Sequence, residues 1–251
     1  MSRYDFAARR LYVNPPLARA AQIVLDQTQA NYVRNVLRRS VGERILVFNG
    51  RDGEWETHVA MSNRKCVTLV ADKLTRPQEP RPDLHYVFAP LKQARQDYML
   101  EKAVEMGAGV LRPVLTGRTQ TSRINSDRMH AHAIEAAEQC GILSIPEIAS
   151  PIRLDAMLGA WDENRLLVFC DEDAPSGDPL AALRSRAEAK GPQALAVLIG
   201  PEGGFEPRER EALLGLSCVL RLPLGPRILR ADTAAIAALA LVQAALGDWR
   251  E

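Results

Sequence analysis

The sequence predicts an α/β fold, a mainly parallel sheet flanked by helices and preceded by a small β domain. Three observations carry this reading. From residue 84 onward, apolar runs of strand length alternate with stretches of helical periodicity, the order that βαβ units produce. Before residue 75, short apolar runs are separated by tight-turn dipeptides, the order of a small barrel or meander. Between them, residues 75–82 hold three prolines and no apolar periodicity, and read as a linker. The expected domains are therefore residues 1–75 and 76–251.

The elements follow in order. Residues 9–13 read as a short strand. Residues 26–39 read as one helix, with Tyr32, Val33, Val36 and Leu37 as its buried stripe. Asn31, Arg34 and Arg38 then share another face at i, i+3 and i+7, either a solvated face or one that grips phosphates. Strands are expected at 44–48, ending at the Asn49-Gly50 turn signal, at 54–60 after Asp52-Gly53, and at 66–71. In the second domain, strands are expected at 84–89, 110–115, 165–171, 194–199 and 218–222. Helices are expected at 97–106 with Gly107 as the stop, and at 127–139 with Ser126 as N-cap and Gly141 closing it. Three further helices are expected at 179–189, at 207–214 with Pro207 in its first turn, and at 232–246.

Composition narrows the function classes. The chain has 251 residues, 47% apolar and 25% charged, as a soluble globular protein has. The first residues lack the continuous apolar segment of a signal peptide, and the apolar stretch 234–246 is shorter than the roughly 20 residues that span a bilayer. A cytoplasmic protein is expected. Four dispersed cysteines and four histidines form no metal-ligand spacing, so no metal is expected and the thiols read as buried and reduced. Net charge is only +1, but residues 1–76 carry 13 Lys and Arg against 7 Asp and Glu, and the remainder carries 19 against 24. A basic small domain joined to a mildly acidic large one suits an anionic partner such as a phosphate backbone.

Two loops carry the chemistry. The first runs Leu198-Ile199-Gly200-Pro201-Glu202-Gly203-Gly204-Phe205; the second runs Leu222-Pro223-Leu224-Gly225-Pro226-Arg227-Ile228-Leu229-Arg230-Ala231. Each follows a strand-like apolar run and leads into a helix, where main-chain N–H groups lack partners and ligands bind in α/β proteins. Neither loop has the lysine of a phosphate loop or the G-x-G-x-x-G of a dinucleotide site. Glu202 stands where a phosphate site would want a cation, which suits a ligand with hydroxyls and a cationic centre; a plain structural turn explains this loop as well. Arg227 and Arg230 lie among apolar residues near a sheet edge, which requires either a ligand or a structural ion pair. Asp232 and Thr233 can cap the helix that follows.

In this order and spacing, LIGPEGGF and LGPRILRADTA resemble the signature of the RsmE family of SPOUT-superfamily RNA methyltransferases. FAPLKQARQDYMLEKAVEMGAGVLRPVLTGRTQ, IEAAEQCGILSIPEI, RRLYV and NYVRNVLR resemble other segments of that family, so the likeness covers nearly the whole chain. The chain departs from the family pattern at Asn31-Tyr32, at Ile142 and at Asp232.

The resemblance implies a SPOUT-type parallel sheet with a C-terminal trefoil knot, preceded by a PUA-like β-barrel that docks RNA. It implies methylation of N3 of one uridine in small-subunit (16S) ribosomal RNA, free or in the small ribosomal subunit, with S-adenosyl-L-methionine as cofactor, by a homodimer. Cofactor-binding residues would be Leu198, Ile199, Gly200, Pro201, Glu202, Gly203 and Gly204 in the first loop. In and after the second they would be Leu222, Leu224, Gly225, Ile228, Leu229, Ala231 and Thr233. Arg230, with Arg227 second, would stabilise the uracil anion. Arg9, Arg10, Arg34, Arg38, Arg118 and Arg123 would contact the RNA. Two other readings remain open at this stage: a non-catalytic RNA-binding or ribosome assembly factor that keeps the fold, and a nucleotide-dependent α/β enzyme.

Overall fold

The computed structural model describes residues 8–64, 66–120, 124–175, 177–190 and 194–250. The chain separates into two compact units. One comprises Met1–Arg81 with Ile134–Ile145, and the other Pro82–Ala133 with Pro146–Glu251. The boundary thus falls at 81 rather than 75, and a segment from the middle of the chain joins the first unit. Residues 75 and 76, expected in the linker, continue a strand because Arg76 pairs with Glu54 in the antiparallel ladder, and the Thr75 hydroxyl lies within hydrogen-bond distance of the Glu54 carbonyl at 2.9 Å and carboxylate at 2.8 Å.

In the first unit, β1 (Arg10–Tyr12), β2 (Gln22–Val24), β3 (Arg44–Phe48), β4 (Glu54–Ser62) and β5 (Val67–Arg76) form one sheet in the order β1-β3-β4-β5-β2. Only β1 and β3 pair in parallel; the other neighbours are antiparallel. Ile23, Val33, Val47, Val59, Val67 and Leu69, all fully buried, centre its core. A second cluster gathers Phe48 with Ala137 and Leu143 from the later segment. The expected helix over 26–39 is shorter and changes pitch. α1 (Gln27–Asn31) opens with a capping box between Asp26 and Gln29, and Tyr32–Val36 continues as a π-helical turn, with the Leu37 amide reaching the Tyr32 carbonyl five residues back. The wider turn breaks the 3.6-residue stripe. Val36 consequently stands 61% exposed, whereas Val33 is buried and Tyr32 and Leu37 pack half-buried on the core. Arg38 lies beyond the turn at φ 53°, so it does not share a helical face with Asn31 and Arg34.

Arg10 corrects another expectation. Its side chain is buried, its Nε donates to Glu54 Oε2 at 2.7 Å, and Arg76 approaches the same oxygen at 3.8 Å. Stranding one charge of such a pair costs about 3–5 kcal/mol. Arg10 is therefore a structural cation and no RNA contact.

The second unit holds a parallel sheet. In chain order its elements are β6 (Leu84–Phe88), α2 (Gln93–Glu105), β7 (Val110–Leu115), α3 (Ser126–Cys140), β8 (Glu147–Ile148), β9 (Ile152–Arg153), α4 (Leu154–Gly159), β10 (Arg165–Cys170), α5 (Pro179–Lys190), β11 (Ala194–Ile199), α6 (Pro207–Leu214), β12 (Val219–Leu222) and α7 (Ala231–Leu246). α3 contributes its last turns, from Ile134, to the first unit. Its cap is Asn125 rather than Ser126, because the Asn125 side chain accepts the Arg128 amide at 3.0 Å.

The sheet order is β12-β10-β11-β6-β7-β8, with β9 pairing β7 beyond β8. Strand residues alternate between two buried faces. Val87, Leu167, Phe169, Ala196 and Leu198 join one core with Leu154 and Met157 of α4 and Leu213 of α6. Their neighbours Tyr86, Phe88, Leu166, Val168 and Val197 point the other way and are also buried, as a parallel sheet covered on both faces requires. Among the described residues no helix is long and apolar enough to cross a membrane.

Glu138 provides a test of the first unit's packing. Its Oε1 accepts the Tyr12 amide at 2.7 Å. Burial pushes the carboxyl up to about 7 from its ordinary 4.5; the Tyr12 amide opposes the rise and Glu135 adds to it. Between those values the unfolded chain has lost a proton that the native state keeps, so this group makes stability fall as pH rises through that window. Glu138→Gln keeps the acceptor and removes the titration. Its advantage over the unsubstituted protein should grow between pH 4.5 and 7 in urea melts; a constant difference across that window would contradict the assignment.

Candidate functional site

The carboxyl ends of β10, β11 and β12 meet in one cavity of about 720 Å³, within the size range of small-ligand sites. The topology explains why it lies there. The chain steps from β10 to β11 on one side, then crosses over β10 to place β12 on its other side. Successive connections therefore diverge at β10, and the crevice at such a reversal is where open α/β sheets bind ligands.

Three segments form the walls: 169–174 after β10, 199–205 after β11, and 222–231 after β12. The first loop is closed by one turn, in which the Gly204 amide donates to the Pro201 carbonyl at 2.9 Å. Gly204 has φ 69°, and a Cβ on it would come within 2.7 Å of the Glu172 carboxylate. Gly200 is required for a different reason. A Cβ there would lie 2.5 Å from the Phe205 ring, which packs edge-on to Phe169 at 5.3 Å between centroids. Arg118 Nη1 donates to the Gly203 carbonyl at 2.6 Å, and Arg95 pairs with Glu202. Arg118, expected at the RNA, thus holds the first loop, and Glu202 is already paired with a guanidinium.

The second loop is bare of internal bonds. Among the described residues no amide from Leu224 to Arg230 donates a hydrogen bond, and neither Arg227 nor Arg230 forms an ion pair. The structural ion pair that could have explained these two arginines is therefore not made. Both are exposed and both line the cavity. Ile228 between them is 92% exposed. Arg230 is also the N-cap residue of α7, which has no side-chain cap; Asp232 binds only its neighbour's amide, at 3.0 Å. The Asp232–Thr233 cap expected from sequence is not formed at the N-cap position, although the Asp232 carboxylate in the first turn accepts the Thr233 amide.

Most of the expected cofactor residues line this cavity. Leu198 does not, since it is 1% exposed and packs in the sheet core; Gly203 and Thr233 also lie off the lining. Arg9 is exposed in the first unit, where Arg34 donates to the Asn63 carbonyl at 2.7 Å. Arg123 falls outside the described residues.

Sequence reasoning missed the segment after β10. Asp171 is buried, and Arg210 and Arg221 grip it at 2.9 and 2.8 Å. The Asp171 carboxylate raises the Arg210 pKa further above its ordinary value. An acid at the end of an apolar strand, and Arg221 inside the apolar run of β12, were the available signals. Cys170 beside it stays protonated, because burial pushes its thiol up to about 12. Of the four cysteines, expected to be buried, only Cys218 is fully so; Cys66 and Cys170 are half-buried, and Cys140 is exposed at the end of α3.

Gly200→Ala tests the packing of the first loop. It should destabilise the protein by about 1–3 kcal/mol through overpacking against Phe205. In a Phe205→Leu background the cost should shrink, measured by urea unfolding as a double-mutant cycle. An equal cost in both backgrounds would refute the contact.

Comparison with known proteins agrees with this architecture. Residues 77–243 match the family model of the RNA methyltransferase domain, and residues 25–72 match that of the RNA methyltransferase PUA domain. Ribosomal RNA small subunit methyltransferase E of Rickettsia conorii is 28% identical over 93% of this chain and 94% of its own length. The namesake from Synechocystis is 27% identical over 95% of this chain and 78% of its own. Among solved structures, a putative methyltransferase of Legionella pneumophila in complex with S-adenosylmethionine superposes with a TM-score of 0.81 at 29% identity, covering 95% of this chain and 98% of that one. The S-adenosylmethionine-bound ribosomal RNA small subunit methyltransferase E of Neisseria gonorrhoeae has the same fold, with a TM-score of 0.80 at 22% identity over 94% of this chain and 97% of its own.

Proposed function

The chain belongs to the RNA methyltransferase family, and we propose that it methylates N3 of one uridine in small-subunit (16S) ribosomal RNA, with S-adenosylmethionine as methyl donor. Its curated relatives carry the name of that small-subunit enzyme, and the Legionella pneumophila protein at 29% identity holds this donor. The observation that carries the reading is the cavity, bounded by two loops whose amides are, among the described residues, largely unpartnered, and by two arginines without an ion pair there. That cavity fits the donor chemically. Free amides suit the ring nitrogens of adenine and the methionine carboxylate, Ile199, Leu222 and Leu224 offer apolar walls to the base, and Glu172 and Asp173 favour a cationic centre. No phosphate-loop lysine is present, which disfavours a nucleoside triphosphate.

Bound there, S-adenosylmethionine supplies a methyl group on a sulfonium. The chain's own residues must do the rest. Uridine N3 carries a proton at neutral pH and must lose it to solvent before it can attack, and as it does so negative charge spreads over N3 and the uracil carbonyl oxygens. Attack on the methyl then forms the N3–C bond as the sulfur–methyl bond breaks, its electron pair going to sulfur, so that both the uracil and the departing thioether are neutral at that centre. Arg230, at the amino end of α7, is assigned to face that charge, with Arg227 second. Holding N3 in line with the methyl supplies much of the remaining rate.

The first unit is assigned to RNA docking, through the exposed Arg9 and Arg38 and the half-buried Arg34. The exposed Ile228 in the second loop favours a homodimer, in which a second copy covers it. Knotting of the C-terminal segment is part of the same proposal.

Arg230→Ala is the direct test. It should lower turnover on ribosomal RNA by about 10²–10³, while calorimetry finds donor affinity little changed. Equal losses of turnover and of affinity would remove Arg230 from its role.

A further inference from the structure

We propose that Asp171 is the positioning residue that holds the donor cavity in its binding shape. The inference rests on the donor assignment above and adds a residue that assignment does not use.

Every acceptor site of the Asp171 carboxylate is taken. Oδ1 accepts Arg210 Nε at 3.2 Å and the Asp173 amide at 3.1 Å. Oδ2 accepts Arg210 Nη2 at 2.9 Å and Arg221 Nε at 2.8 Å. Arg221 Nη2 continues to the Asp173 carbonyl at 2.7 Å. The carboxylate side chain is 3% exposed, and the two arginine side chains are each 30% exposed. With its lone pairs engaged, Asp171 has nothing left to offer a ligand. It acts through what it ties together.

What it ties together is the frame of the cavity. Asp171 directly follows β10 and lies in the wall at 169–174. Arg210 belongs to α6, the helix that follows the first loop. Arg221 belongs to β12, the strand that precedes the second loop. One buried carboxylate therefore sets the spacing of all three walls. The loops cannot do this themselves, because the first has a single internal turn bond and the second has none. A ligand held by amides on both loops needs them preset at one separation, and any ordering left until binding is subtracted from affinity.

Donor affinity should therefore depend on Asp171, and turnover at saturating donor should not. Asp171→Asn keeps the shape but turns an amide N–H₂ toward the guanidiniums. Arg210→Lys is milder, keeping the charge and losing the two-pronged grip. In calorimetric titration with S-adenosylmethionine, Asp171→Asn should weaken binding about tenfold or more, and Arg210→Lys by less. The KM for the donor should rise in parallel, and kcat on ribosomal RNA should stay within about threefold. If melting temperatures fall while affinity and KM remain those of the unsubstituted protein, the cluster is merely structural and the proposal is wrong. It is equally wrong if kcat falls with affinity unchanged. Should Asp171→Asn fail to fold, Arg210→Lys decides alone. Absence of any binding heat with the unsubstituted protein would overturn the donor assignment itself, and this inference with it.

Discussion

The structure depends on one constraint, the strand order β12-β10-β11. It places the loop after β11 and the loop after β12 on opposite sides of β10, both at carboxyl ends of parallel strands. Among the described residues the amides from Leu224 to Arg230 in the second loop find no acceptor and the first loop has one internal bond, from Gly204 to Pro201, and both loops contribute to a cavity large enough for a small ligand. Unpaired amides at a surface are acceptable only where water or a ligand meets them. The fold thus creates a region that binds through backbone groups, which explains why the loops are built of glycine, proline and apolar residues.

Charge in this region is sorted by burial. Asp171 is enclosed and fully paired, and it serves to hold the walls. Arg95 and Glu202 pair with each other at the rim, and Arg118 secures the first loop through the Gly203 carbonyl. Among the described residues Arg227 and Arg230 find no ion-pair partner near the amino end of α7, and so are cations available to meet an external anion. The first unit applies the same logic. Arg10 is spent on Glu54 in the interior, whereas Arg9 and Arg38 remain at the surface. A count of basic residues does not distinguish these cases; burial and partners do.

Much of this was legible in the sequence. Strands Arg44–Phe48, Val110–Leu115 and Ala194–Ile199 and helix Pro207–Leu214 have the bounds that their apolar period and turn residues indicate. Both cavity loops were readable from their glycines and their position after buried strands. What escaped has physical reasons. β2, β8, β9 and α4 span two to six residues, too few to express a period. The π-helical turn at Tyr32–Val36 shifts the stripe by one residue, and nothing in local composition marks it. The pairings of Arg10 with Glu54, 44 residues apart, and of Asp171 with Arg210 and Arg221, 39 and 50 residues apart, are consequences of sheet order, which local pattern does not encode.

The central claim is that these two loops, through their main chain, hold a sulfonium methyl donor. The most direct measurement is a crystal structure of the protein grown with S-adenosylmethionine. The donor should lie between residues 200–204 and 222–231, with loop amides within hydrogen-bond distance of its adenine and carboxylate and its methyl turned toward Arg230. A donor lodged at another site, or bound there only through side chains with the loop amides left free, would contradict it.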